Sequence, residues 1–284
     1  MENNLKAPVN RIIPFSNVDG PGNRMSIFFQ SCPFRCLYCH NPETINMCIN
    51  CGACVKTCPV NALKLENGKV IWDSKICVNC DTCIKTCKHL ASPKITYMTS
   101  DEIISRIMEV RPFIRGITVS GGECMNQAPF LLELFSKLRE KDPTLSLLID
   151  SNGFCDYRDY KELISLSDGV MLDVKAYDKE FHKFVCSVSN DMVLKNLSYL
   201  LEINKLEEVR TVILPGYEIE NENTVLNVSK IIQDKCRYKL LKYRYFGVRE
   251  EGVKTFGKTI ASQDELVRLQ KIAFENGASK TVII

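Results

Sequence analysis

The chain has 284 residues, 45% of them apolar, which suits one large domain or two modest ones with a buried core. A formal net charge of +3 argues against a nucleic-acid footprint, and no apolar run reaches the roughly eighteen residues of a membrane-spanning helix. The opening Met1-Glu2-Asn3-Asn4-Leu5-Lys6 lacks the apolar core of a signal peptide, so a cytoplasmic location without membrane or nucleic-acid partners is expected.

Residues 1–23 read as a polar, turn-rich lead-in ending in Asp19-Gly20-Pro21-Gly22. Arg24–Gln30 reads as the first strand, rich in β-favouring residues. Directly after it come Cys32, Cys36 and Cys39, spaced C-x3-C-x2-C. A [4Fe–4S] cube normally takes four thiolates, so three local cysteines leave one iron open to a substrate or cofactor.

The chain carries fifteen cysteines, and in a cytoplasmic protein that number points to metal rather than disulfides. Between residues 47 and 92 lie two similar runs, Cys48-x2-Cys51-x2-Cys54-x3-Cys58-Pro59 and Cys77-x2-Cys80-x2-Cys83-x3-Cys87, repeating after 29 residues. Each matches the bacterial ferredoxin run, in which the fourth cysteine ligates the other cluster. One cluster is therefore expected on Cys48, Cys51, Cys54 and Cys87, and another on Cys77, Cys80, Cys83 and Cys58. Zinc is the rival for C-x2-C pairs, but four closely spaced cysteines twice over fit iron–sulfur better. Leu63–Trp72 reads as a hairpin turning at Asn67-Gly68. Cys124, Cys155, Cys186 and Cys236 lack ligand spacing and read as packing residues.

Beyond residue 92 strands and helices alternate. Thr99-x2-Glu102 caps a helix through Met108, and strands follow at 116–120, 145–150, 169–175, 209–214 and 239–243. Helices are expected at 128–140, 158–166, 190–204 and 222–234, then one capped by Ser262 and a last edge strand at 281–284. Near-continuous apolar strands imply a parallel sheet. About six strand–helix units give an α/β fold, a partial (β/α)6 TIM-type barrel formed by residues 1–46 and 93–284, with residues 47–92 inserted as a ferredoxin-like domain.

The distinctive polar groups fall at strand ends: Gly121-Gly122-Glu123, Asp150-Ser151-Asn152, Asp173 and Lys175, Arg210 and Arg244. In a parallel barrel these ends converge on one mouth. The basic run Lys235–Arg244 reads as a solvated face more readily than as a docking patch.

Together with Asp19-Gly20-Pro21-Gly22-Asn23-Arg24, Cys36-Leu37-Tyr38-Cys39-His40, Met171-Leu172-Asp173-Val174-Lys175 and Val209-Arg210-x4-Pro215-Gly216, these motifs resemble the radical S-adenosylmethionine (SAM) enzymes. Within that superfamily the chain resembles the glycyl-radical enzyme activating enzymes, and the insert resembles their larger members. The resemblance implies that the cluster on Cys32, Cys36 and Cys39 binds the amino and carboxylate groups of S-adenosylmethionine. It further implies that Gly121, Gly122 and Glu123 hold the amino group and that Tyr38, Cys39 and His40 lie along the adenine. Asp150, Ser151, Met171 and Asp173 would form a monovalent-cation site beside the methionine carboxylate, Asp173 and Lys175 would also reach the cofactor, Arg210 would help orient it, and Asn152 and Val174 would bind it too. Three [4Fe–4S] clusters, a flavodoxin or ferredoxin reductant and a glycyl-radical enzyme as protein substrate complete the expectation.

Many relatives carry a histidine after the last strand's tyrosine, where this chain has Tyr243-Arg244, a pattern resembling the less characterised YjjW-like branch. Arg244 then either contacts the ribose or carboxylate or is a surface charge. Two other functions compete with activation of a glycyl-radical enzyme. One is radical chemistry on a small molecule or another peptide; the other is simple iron–sulfur electron transfer, which would leave the Gly121-Gly122-Glu123 pocket without a purpose.

Overall fold

The computed structural model describes residues 5–284. Its frame is one nine-stranded sheet, open at both edges, built around a parallel run. The first strand in that run is Arg24–Phe29, labelled β2 because another strand, β1 (Lys6–Ser16), precedes it. The lead-in expected over residues 1–23 is thus largely a strand; residues 1–4 lie outside the described residues. Pro8 and Pro14 hid β1, since proline demotes a run of residues from strand status. Pairing on both sides overrides that preference: β1 lies antiparallel to β2 and to β5 (Thr96–Thr99), and register shifts beside Asn10 and Pro14 absorb the irregularity.

Two short strands between them, β3 (Leu63–Glu66) and β4 (Lys69–Trp72), form the expected hairpin, and Asn67 and Gly68 both take positive φ at its turn. A five-residue helix, α1 (Thr82–Thr86), follows. This segment has its own small core of Cys54, Leu63 and Cys83 with Val70, Trp72 and Ile84 against it. The 29-residue repeat is visible in the backbone: Asn50 and Asn79, Gly52 and Asp81, and Asn61 and Leu90 are pairs of positive-φ residues at that spacing.

The parallel run continues through β6 (Gly116–Gly121), β7 (Ser146–Ser151), β8 (Gly169–Asp173), β9 (Leu206–Ile213), β10 (Arg237–Lys242) and the edge strand β11 (Thr281–Ile283). Six strand–helix units result. Helix α2 (Ser100–Val110) begins at a full Thr99/Glu102 capping box, worth about 1 kcal/mol. Helices α3 (Ala128–Lys141) and α4 (Lys161–Leu166) follow β6 and β7. After β8 come two helices rather than one, α5 (Lys179–Cys186) and α6 (Asp191–Glu202), and after β9 comes α7 (Glu218–Ile232). Last are α8 (Glu250–Phe256) and α9 (Gln263–Glu275). The sequence does not mark α5 and α8 because each has only two turns, shorter than the run that identifies a helix. The helices seal one face of the sheet: Leu131, Leu134, Phe135 and Leu138 of α3 are fully buried, each contributing about 2 kcal/mol. No described helix is long and apolar enough to cross a membrane.

Arg24 ties the bottom of the sheet. It is fully buried and donates to the Thr118 hydroxyl, the Ile117 and Ser146 carbonyls and the Pro21 carbonyl. Burial without a carboxylate in hydrogen-bonding contact lowers its pKa to about 10. Its last contact fixes the Asp19–Gly22 turn. Asp19 in turn accepts from the Ser16 and Ser26 hydroxyls.

Candidate active site

The three-cysteine loop leaves β2 and is fastened at every side. Buried Gln30 donates to the carbonyls of Glu43 and Asn46, pinning the loop's return. Ser31 and Cys32 donate their N–H groups to Thr44 and Ile45, and Glu123 N–H donates to the Ser31 carbonyl. Arg35 and Leu37 bond the carbonyls of Cys186 and Val185 at the end of α5. Phe34 packs edge-on to buried His182. Cys36 is buried and Cys32 and Cys39 are half-buried.

The strand ends close on this loop. At the end of β6, Gly122 approaches so tightly that a Cβ there would lie 2.4 Å from the Ser31 carbonyl oxygen. Buried Glu123 accepts from the Ser151 hydroxyl at 2.7 Å, Asn152 N–H at 2.7 Å and Met125 N–H at 3.0 Å. Burial outweighs those donors and raises its pKa to about 7. Its carboxylate is therefore a staple between the ends of β6 and β7, while the turn's backbone faces the loop. The Asn152 side chain reaches the Cys32 sulfur at 3.5 Å. Lys175 pairs with Asp173 at 2.8 Å and lies 5.6 Å from the centre of the Tyr38 ring. Arg210 on β9 spans to Asp150 on β7 at 3.1 Å and to the Met171 sulfur on β8 at 3.1 Å.

The side chains of Val174 and Arg244 are not part of this cluster. Val174 is buried in the core, and its N–H and carbonyl bond Arg210 and Thr211, so it presents no side chain to the site. The Arg244 side chain is exposed; only its carbonyl meets the loop, 2.7 Å from the His40 ring. That contact belongs to a strap, residues 243–257, that the sequence did not signal. Arg249 donates to the Arg35 carbonyl at 2.8 Å, Gly252 abuts the Leu37 carbonyl, and Phe256 packs edge-on to Tyr38. Nothing in the local sequence marks Gln30 or Glu208, and Lys239, expected on a solvated basic face, is instead buried against Glu208.

The loop fits an iron–sulfur group by its donor chemistry. Burial and the nearby Glu123 push the Cys32 thiol well up, and burial takes Cys39 to about 11, so neither would ionise unaided at neutral pH. A bound iron deprotonates such thiols outright, and the Asn152 N–H···S contact suits a thiolate. Between β2 and β5 lie two further cysteine-lined cavities. One, of about 180 Å³, is lined by Cys48, Cys51, Cys54 and Cys87; the other, of about 20 Å³, by Cys58, Cys77, Cys80 and Cys83. Each takes three cysteines from one run and one from the other. Among the described residues no three His, Cys, Asp or Glu side chains crowd one point as a lone ion requires, whereas thiolates on a cube each hold a different iron. Of the remaining cysteines, Cys124, Cys186 and Cys236 are buried and Cys155 is half-buried.

The Radical SAM superfamily model matches residues 26–228. A Haemophilus influenzae protein provisionally named a glycyl-radical enzyme activating enzyme is 30% identical, covering 98% of this chain and 96% of that one. The trans-4-hydroxy-L-proline dehydratase activating enzyme of Clostridioides difficile is 33% identical, covering 76% of this chain and 75% of that one. The crystal structure of QueE from Escherichia coli resembles the fold, with a TM-score of 0.54 at 14% identity over 98% of this chain and 94% of that one. The chain belongs to the radical SAM superfamily and, within it, to the glycyl-radical enzyme activating enzymes.

Proposed function

We propose that the chain installs a glycyl radical on a partner enzyme, using S-adenosylmethionine at the Cys32, Cys36 and Cys39 site. The observation that carries this reading is the three-cysteine loop bonded directly to the Gly121-Gly122-Glu123 turn, beside Asn152 and the Asp173–Lys175 pair. When bound, the cluster and S-adenosylmethionine together supply reductive cleavage of the sulfonium and a 5′-deoxyadenosyl radical able to take a hydrogen atom from a glycine Cα. The chain's own task is positioning. The Gly121-Gly122 backbone would receive the ligand's amino group, Tyr38–His40 would flank the adenine, and Asp173 and Lys175 would hold the ligand's polar groups. The strap over residues 35–40 holds the loop in place through Arg249, Gly252 and Phe256. No side chain has to move a proton, so none is assigned as acid or base.

The two four-cysteine cavities support two further [4Fe–4S] clusters in a ferredoxin-like insert over residues 47–92, three clusters in all. They would pass electrons inward from a flavodoxin or ferredoxin. Removing Cys51 and Cys80 should slow cofactor cleavage with a protein reductant; unchanged turnover with both clusters verified absent would end the relay idea. The activase reading is tested anaerobically with reconstituted protein. Formation of 5′-deoxyadenosine together with a glycine-centred EPR signal on the co-incubated partner is expected. 5′-Deoxyadenosine without any partner radical across the candidate enzymes would instead favour a small molecule or another peptide as substrate.

A further inference from the structure

The four residues expected to bind a monovalent cation all have partners inside the protein. Asp150 accepts from Arg210 Nη1 at 3.1 Å and from the Ser120 hydroxyl at 2.9 Å. The Met171 sulfur accepts from Arg210 Nη2 at 3.1 Å, and Asp173 pairs with Lys175 at 2.8 Å. The Ser151 oxygen accepts from the Tyr157 hydroxyl and Gly153 N–H while donating to Glu123. The two carboxylates nearest the expected ion are thus each paired with one of the chain's own cations.

Arg210 is also held from behind. Buried Glu208 accepts from Arg210 Nε at 2.7 Å and from Lys239 Nζ at 3.0 Å. Lys239 stands directly opposite Arg210 in the β9–β10 register. The charges alternate, Lys239, Glu208, Arg210, Asp150, across one face of the sheet, so each buried ion meets one of opposite sign. Arginine suits the middle position because its planar fork can grip two partners at once and does not lose its proton. Of the five N–H groups on a guanidinium, those on Nε, Nη1 and Nη2 named above are used. The other two make no hydrogen bond among the described residues.

We propose that the Arg210 guanidinium, anchored by Glu208 and Lys239, is the resident cation of this site and stands in place of a monovalent metal ion, so that S-adenosylmethionine binds without any alkali cation. The inference rests on the cofactor reading given above. Glu208 and Lys239 act through Arg210 and are positioning residues.

The test measures S-adenosylmethionine affinity of reconstituted protein by the change in the reduced cluster's EPR signal, with K⁺ or with tetramethylammonium as the only cation. The unsubstituted chain should change by less than about twofold between the two salts, and Arg210→Lys, which keeps a charge, should behave likewise. Arg210→Gln should become K⁺-dependent by about tenfold or more. Glu208→Gln should weaken affinity severalfold with no response to K⁺; unchanged affinity would overturn the anchoring role. A second readout needs no cluster: the melting temperature of metal-free Arg210→Gln should rise with K⁺, while that of the unsubstituted chain stays flat. If Arg210→Gln shows no such rise, its carboxylates form no cation site and the inference is overturned. Binding by the unsubstituted chain only in K⁺ overturns the inference and leaves the cofactor reading standing. Binding in neither salt overturns both. Should Arg210→Gln not fold, the salt comparison on the unsubstituted chain decides alone.

Discussion

Replacing Gly122 by alanine tests whether the end of β6 sets the position of the cysteine loop. Gly122 does not have positive φ, so alanine can adopt its backbone and the cost is purely steric. The added Cβ would sit 2.4 Å from the Ser31 carbonyl oxygen and 2.7 Å from that of Thr44. Both obstacles are backbone atoms, and both are engaged, since Ser31 O accepts from Glu123 N–H and Thr44 O from Ser31 N–H. No rotamer change relieves the overlap, so the stem of the loop must move by about 1 Å. Overpacking of this kind costs about 3 kcal/mol or more. At roughly 2–4 °C per kcal/mol, the melting temperature should fall by roughly 6–12 °C. Because Cys32 follows Ser31, iron uptake at the three-cysteine site should fall as well. The control is Gly68→Ala in the β3–β4 turn, where φ is +72° and nothing lies within 4 Å. It should cost only about 1 kcal/mol of backbone strain. Scanning calorimetry of metal-free protein and iron analysis after reconstitution read both effects. A Gly122→Ala chain that melts within about 2 °C of the original and loads iron normally would refute the close-approach argument.

Glu123 predicts a pH effect. Its folded pKa near 7 lies above its ordinary value of 4.5, so its stabilising contribution is complete below about pH 4.5 and is lost as pH rises through 7. The loss is about 3 kcal/mol, and urea midpoints from pH 5 to 8 should fall more steeply for the original chain than for Glu123→Gln; parallel profiles would show that another group titrates. Arg24→Met removes donors to the Ile117 and Ser146 carbonyls and should cost about 3 kcal/mol, read as a lower urea midpoint. Crossed ligation in the insert predicts that adding Cys87→Ala to Cys51→Ala costs no further iron, whereas adding it to Cys80→Ala costs about four more irons per chain. The reverse pattern would assign Cys87 to the Cys77 run.

Some of this protein is readable one residue at a time, because the physics is local. Ligand spacing in Cys32-x3-Cys36-x2-Cys39 is set by a single loop. The Thr99/Glu102 box and the Asn67-Gly68 turn need only their immediate neighbours. The apolar runs at 116–120 and 169–173 declare buried parallel strands because both faces must be dry. Strand β1 was invisible since its prolines oppose it and only pairing with β2 and β5 makes it. Residues 243–257 look like an ordinary connection, and their hold on the cysteine loop exists only where Gly252 meets Leu37 across the fold. Val174 and Arg244 sit within motifs that suggest cofactor contact, yet strand alternation turns one inward and chain exit turns the other out. The Lys239–Glu208–Arg210–Asp150 ladder was likewise hidden, because opposite charges on different strands become partners only once sheet register puts them side by side. The sequence alone thus determined the local features: the cysteine spacings, the capping box, the hairpin turn and the dry parallel strands. Tertiary structure decided how the site's charges are balanced, because that depends on distances between strands remote in the chain.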